Sequence, residues 1–163
     1  MSKKKEVKTN AMRFLDKNKI YYETVTYRCE EFTDGLRLAE SLGIPAAETY
    51  KTLVTTGKTG EHYVFVIPVD KELDLKKAAK SVGEKSIEML HLKDITKVTG
   101  YVRGGCSPLG MKKQLPTVIQ KEAKDLASFY VSGGRLGSQI KASPGDLVKA
   151  IDGKFDDVVI SLI

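Results

Sequence analysis

Between Tyr50 and Val69 two strand-forming runs flank a single short break, and this pattern restricts the fold more than any other feature of the sequence. Tyr50 to Thr56 is rich in β-branched residues, Gly57-Lys58-Thr59-Gly60 is a turn, and His62 to Val69 returns as a mostly apolar strand. So short a connection joins antiparallel neighbours, because parallel strands need a crossover of about a dozen residues or more. A purely parallel sheet is thereby excluded. Further strands are expected over Tyr21 to Tyr27, Ser86 to Leu90, Leu115 to Ile119 and Ala127 to Val131, with a last apolar segment over Val158 to Ile160.

Helices are interleaved with these strands. One is expected over Thr9 to Lys17, with Ala11, Phe14 and Leu15 on one face and Thr9 or Asn10 as the cap. A second, capped by Thr33 or Asp34, runs through Leu36, Ala39 and Leu42 to Gly43. Others start at Asp74 and end at Gly83, span Leu92 to Val98, and start at Ser143-Pro144-Gly145-Asp146. The fold class read from this order is α+β, a mixed sheet with helices packed around it. At 163 residues, 41% hydrophobic, the chain suits one domain over residues 9–163, preceded by a flexible basic tail over residues 1–8.

No apolar run approaches the roughly 20 residues of a membrane-spanning helix, and no signal-peptide stretch follows Met1. A cytoplasmic protein without membrane association is expected. Cys29 and Cys106 lie far apart with no CxxC spacing, so free thiols are expected; with His62 and His91 the only histidines, neither a metal site nor a cofactor is expected. The net charge of +6 suits either a polyanionic partner or an ordinary lysine-rich surface.

The common nucleotide-loop, metalloprotease and hydrolase signatures are missing, and His62 and His91 both sit at ordinary element edges. Three features remain as candidates. The loop Gly104-Gly105-Cys106-Ser107-Pro108-Leu109-Gly110 offers main-chain N–H groups and the Ser107 hydroxyl to a ligand, or is a plain tight connection. Ser132-Gly133-Gly134-Arg135, following an apolar strand, lines a pocket or makes a hairpin turn. Lys51 enters a strand expected to be buried, where its ammonium must meet an anion or polarised oxygen, or else snorkel to solvent.

Taken in order, Val7 to Arg13, Tyr50-Lys51-Thr52-Leu53, Leu73 to Ala79, Thr99 to Gly110 with Lys112-Lys113 and Leu115-Pro116-Thr117, and Tyr130 to Gly134 closely resemble the YbaK/EbsC family. Its members are free-standing relatives of the editing domain of bacterial-type prolyl-tRNA synthetases. The resemblance implies a largely antiparallel mixed sheet curled toward a barrel with helices outside. It implies a trans-acting aminoacyl-tRNA deacylase that clears Cys-tRNA(Pro), and also Cys-tRNA(Cys), with tRNA as partner and prolyl-tRNA synthetase as a second. It assigns Lys51 to catalysis and Tyr27, Thr52, Gly104, Gly105, Ser107, Ser132, Gly133 and Gly134 to substrate binding. No protein nucleophile is implied: the substrate's own thiol attacks its ester carbonyl, so Cys106 is not required as a nucleophile.

One departure bears on specificity. Some family members carry an acidic pocket residue shortly after the Ser-Gly-Gly motif, where this chain has Gln139. An Ala-tRNA(Pro) deacylase is the neighbouring alternative. A tRNA- or nucleotide-binding module without turnover is the other, with Lys112, Lys113, Lys121 and Arg135 as phosphate contacts.

Overall fold

A computed structural model describes residues 7–28 and 35–161. Eight strands are assigned among them: β1 (Tyr22–Thr26), β2 (Tyr50–Gly57), β3 (His62–Pro68), β4 (Ile87–Met89), β5 (Thr117–Gln120), β6 (Phe129–Ser132), β7 (Ser138–Ala142) and β8 (Lys154–Asp156). Five helices accompany them: α1 (Asn10–Lys17), α2 (Gly35–Leu42), α3 (Leu75–Val82), α4 (Ile95–Thr99) and α5 (Pro144–Ala150).

The hairpin forms as its sequence dictates, with Tyr50 opposite Pro68 and Thr56 opposite His62. It is the centre of a five-stranded sheet ordered β4-β2-β3-β5-β8, in which β5 and β8 join in parallel. The other strands form a three-stranded antiparallel sheet, β1-β7-β6. The fold is thus α+β with mixed, largely antiparallel pairing. Among the described residues the ladders do not close into a barrel; a single parallel bridge between Thr49 and Tyr130 ties the two sheets together.

Strand β3 is apolar from Val64 onward, where both its faces are covered. Val64 and Val66 enter one core with Leu15, Phe129, Ile140 and Leu147, while Phe65 and Ile67 enter a second with Ala78, Ala79, Val118 and Val158. All four β3 side chains are fully buried, each contributing on the order of 1.5–3 kcal/mol of transfer free energy. Helix ends follow their caps. Asp74 Oδ1 accepts from Lys76 and Lys77 N–H, Gly83 closes α3 at φ 74°, and Ser143 Oγ accepts from Asp146 N–H with Pro144 in the first turn.

Several expectations are corrected in detail. β7 was not anticipated: Ser-Gln-Ile-Lys-Ala offers one β-branched residue, and its strand state comes from pairing on both sides. β8 was likewise missed, and Val159 makes only an isolated bridge to Leu73. The helix expected over Leu92 to Val98 is a 3₁₀ turn at Leu92–Asp94 followed by α4. In the stretch read as a basic tail, Val7 O accepts from Arg135 Nη1 at 2.6 Å, and Lys8 pairs with Asp16 at 2.5 Å. Cys29 and the expected caps Thr33 and Asp34 lie outside the described residues.

Thr9 carries two loads, accepting from Met12 N–H as the cap of α1 and donating to Gly133 O. Next to it, Gly110 (φ 65°) lies so close to α1 that a Cβ there would sit 2.5 Å from Asn10 O. Gly43 (φ 70°) faces open space. Gly110→Ala is therefore expected to cost roughly 2–4 kcal/mol and Gly43→Ala only about 1–2, compared by urea unfolding. Equal losses would show that backbone conformation alone sets both positions.

Candidate active site

The strand pairing leaves a gap that becomes the site. β4 pairs only with Thr55–Gly57 of β2, so on that edge the Lys51–Leu53 stretch belongs to no strand ladder. The bridge from Thr49 to Tyr130 runs β6 parallel to this stretch, which brings Ser132 toward Lys51. β7 then sets Gln139 opposite Ser132, and Tyr27 N–H donates to Gly137 O at 2.9 Å, placing Tyr27 at the same end of the small sheet.

A cavity of about 370 Å³ lies at this junction. Among the residues expected to act, Tyr27, Lys51, Thr52, Gly104 and Ser132 line it. Gly105, Ser107, Gly133 and Gly134 do not, for reasons visible in their packing. A Cβ on Gly105 would lie 2.9 Å from Arg135 Cα, one on Gly133 2.4 Å from Ser138 Oγ, and one on Gly134 3.0 Å from Thr9 and Tyr101 side-chain atoms. Gly105 lets the two loops meet backbone to backbone, Gly134 leaves room for the Thr9 and Tyr101 side chains, and Gly133 leaves room for Ser138 across its own hairpin. Ser107 is fully buried, and its Oγ accepts from Leu109 N–H at 3.3 Å. Tyr101 reinforces the same loop, its phenol donating to Leu109 O.

The wall is apolar over much of its area, from Leu38, Leu53, Val54, Val69, Leu90, Ile95 and Leu136. Its charged groups among the described residues are Lys51 and Arg103, both cationic; no carboxylate or imidazole is present there. Lys51 is half-buried and has no ion-pair partner among the described residues. Tyr50 Oη, Thr52 Oγ1 and Gln139 Oε1 are buried without a hydrogen-bond partner, although all three residues belong to the lining. Tyr50 is held in its neutral form chiefly by burial, with Glu122 and Asp70 adding to the effect.

Cys106 also lines the cavity, but burial pushes its thiol up to about 11, against a smaller opposing hydrogen bond from Thr99. At neutral pH it is a protonated, weakly nucleophilic wall group. Neither histidine joins it: His62 Nδ1 is 3.1 Å from Thr56 Oγ1, and His91 is exposed ahead of the 3₁₀ turn. Sequence reasoning missed Tyr50, Arg103 and the apolar wall. Arg103 stood in a quoted motif and was readable as a charge beside the glycine loop, whereas the apolar residues carry no signal separating a cavity wall from core.

Comparison with known proteins places this geometry. The sequence profile of the aminoacyl-tRNA editing domain matches residues 31–150. The chain belongs to that family. It is 46% identical over 160 residues to EbsC of Enterococcus faecalis, named provisionally as a Cys-tRNA(Pro)/Cys-tRNA(Cys) deacylase, covering 97% of this chain and 98% of that one. It is 31% identical over 94 residues to the proline--tRNA ligase of Trichlorobacter lovleyi, covering 58% of this chain and 16% of the ligase. Among solved structures, one described provisionally as a trans-editing enzyme for prolyl tRNA synthetase superposes with a TM-score of 0.82 at 22% identity, over 96% of this chain and 100% of that one, a likeness of fold.

In a Cys29→Ser background, iodoacetamide is expected to modify Cys106 at pH 8 at least about a hundredfold more slowly than an unburied thiol, accelerating as pH rises toward 11. Fast labelling at pH 8 would show an activated thiolate and reopen a nucleophilic role.

Proposed function

We propose that the protein is a trans-acting aminoacyl-tRNA deacylase that removes cysteine from Cys-tRNA(Pro), and from Cys-tRNA(Cys). The observation that carries this reading is that Tyr27, Lys51 with Thr52, Gly104 and Ser132, from four separate segments, converge on one cavity in a chain 46% identical to EbsC. The described lining holds no base beside a hydroxyl or thiol, which supports cleavage by the substrate itself. In that route the cysteine sulfur attacks its own ester carbonyl and a C–S bond forms. The C–O bond to the terminal ribose breaks, and the thiol proton ends on the ribose oxygen. The product is a cyclic thioester that water then opens.

The protein's task is placement and charge control. Lys51 lies where its ammonium can hold the 3′-terminal nucleotide or stabilise the carbonyl oxygen as it becomes tetrahedral. Ser132, Thr52 and Tyr27 supply hydroxyls to the ribose or amino group, and Gly104 lets the loop approach. Holding sulfur and carbonyl in attack geometry is worth several kcal/mol without any protein nucleophile. Gln139, a neutral amide with an unpartnered Oε1, offers the α-ammonium an acceptor without an ion pair. The shared similarity to proline–tRNA ligases also supports the synthetase as an associate in handing over the mischarged tRNA. Among the described residues no helix is long and apolar enough to cross a membrane.

The test is deacylation of Cys-tRNA(Pro), Cys-tRNA(Cys) and Ala-tRNA(Pro) by purified protein and by Lys51→Ala. The expected result is release of cysteine with alanine spared, and a loss of at least about 100-fold in kcat for Lys51→Ala without a change in Tm beyond a few degrees. Preferential release of alanine would make it an Ala-tRNA(Pro) deacylase. Tight tRNA binding with all three esters intact would make it a binding module.

A further inference from the structure

The chain's positive charge is not evenly spread. Of its net +6, the 23 residues from His91 to Lys113 carry +4, with Lys93, Lys97, Arg103, Lys112 and Lys113 set against Asp94 alone. This segment is also part of the cavity wall, since Leu92, Ile95, Arg103, Gly104 and Cys106 all belong to the lining. Its two ends are joined in space. Lys112 N–H donates to Thr99 O at 2.9 Å, and a Cβ on Gly100 would lie 3.4 Å from Lys112 Cβ, so the paired lysines sit against the C-terminal end of α4.

Lys93, Lys97, Lys112 and Lys113 are exposed, and none forms an ion pair with a described residue. Other exposed lysines, such as Lys58, Lys76, Lys80 and Lys85, form no ion pair with a described residue either, so it is the clustering of charge beside the cavity that sets this segment apart. Leu92 and Val102 within this stretch and Met89 just before it are exposed by 56%, 53% and 46%, and Met89 and Leu92 also line the cavity. Exposed apolar side chains in the same segment as unpaired ammonium groups fit a polyanion whose end carries a flat, weakly polar group. That is the chemistry of a nucleic-acid strand entering by its terminal nucleotide.

We propose that α4 and the Lys112-Lys113 turn form the docking surface for the phosphate backbone of the RNA whose 3′ end occupies the cavity. The proposal rests on the deacylase reading only for the identity of that RNA. Four lysines contacting phosphate release condensed counterions, so binding there must weaken steeply with salt. Contacts to phosphate position the strand without selecting sequence, which suits a surface serving more than one tRNA.

The experiment compares two neutralised proteins of equal charge. One carries Lys93→Gln, Lys97→Gln, Lys112→Gln and Lys113→Gln; the control carries Lys58→Gln, Lys76→Gln, Lys80→Gln and Lys85→Gln, exposed lysines outside the segment. Binding of uncharged tRNA is measured across 50–300 mM salt, so the readout does not depend on turnover. The first variant is expected to bind at least tenfold more weakly, its log K against log salt slope flattened by about 3, with the control within twofold of wild type. Equal losses in both would mean that overall charge, not this surface, attracts RNA, and would overturn the proposal. So would unchanged RNA binding with lost binding to prolyl-tRNA synthetase, which would make the patch a protein contact. If the fourfold variant fails to fold, Lys112→Gln with Lys113→Gln is read alone and must still weaken binding at least threefold. Wild-type deacylation of saturating Cys-tRNA(Pro) and Cys-tRNA(Cys) at low salt separately tests the ester chemistry; failure on both would sink the deacylase reading and leave the docking result intact.

Discussion

Everything at the site depends on three segments packed so closely that a side chain at their glycines would force them apart. Gly105 lies against Arg135, Gly134 against Thr9 and Tyr101, and Gly110 against Asn10. Thr9 donates to Gly133 O across one of these contacts, and Tyr101 donates to Leu109 O within the loop. The segment before α1, the Gly104–Gly110 loop and the turn after β6 thereby become one rigid unit. Gly104 and Ser132 reach the cavity because their neighbours are fixed in this way. The family match begins at residue 31, yet the anchor at Thr9 lies ahead of it, so part of the support for the site comes from outside the matched region.

The hairpin was legible because its turn and its β-branched run are local signals, and β3 carried its double burial openly as a continuous apolar run. Asp74, Gly83 and Ser143 announced helix ends for the same reason: a cap is a short-range hydrogen bond or a left-handed φ. β7 was illegible because only its neighbours make it a strand. The division into two sheets was hidden too, since the bridge from Thr49 to Tyr130 joins residues 81 positions apart and leaves no periodic trace.

At the site, Lys51, Thr52, Ser132 and Gly104 were readable through the resemblance, and Lys51 also through the oddity of a lysine entering a buried strand. Ser107, Gly105, Gly133 and Gly134 stood in the same motifs but serve the scaffold. A motif does not distinguish a glycine that approaches a ligand from one that approaches another loop. Cys106 illustrates the converse. Its place in the cavity wall would invite a nucleophilic role, and the burial that raises its pKa argues against it.

The central claim is that the cavity positions an ester for attack by the substrate's own sulfur. The most direct measurement compares Cys-tRNA(Pro) with Ser-tRNA(Pro), which differ by one atom and fill nearly the same space, under single-turnover conditions. The account predicts rapid loss of cysteine and release of serine slower by at least about a hundredfold, because a hydroxyl is a far weaker nucleophile at neutral pH. Equal rates for the two esters would contradict it and require water or a protein group as the attacking species.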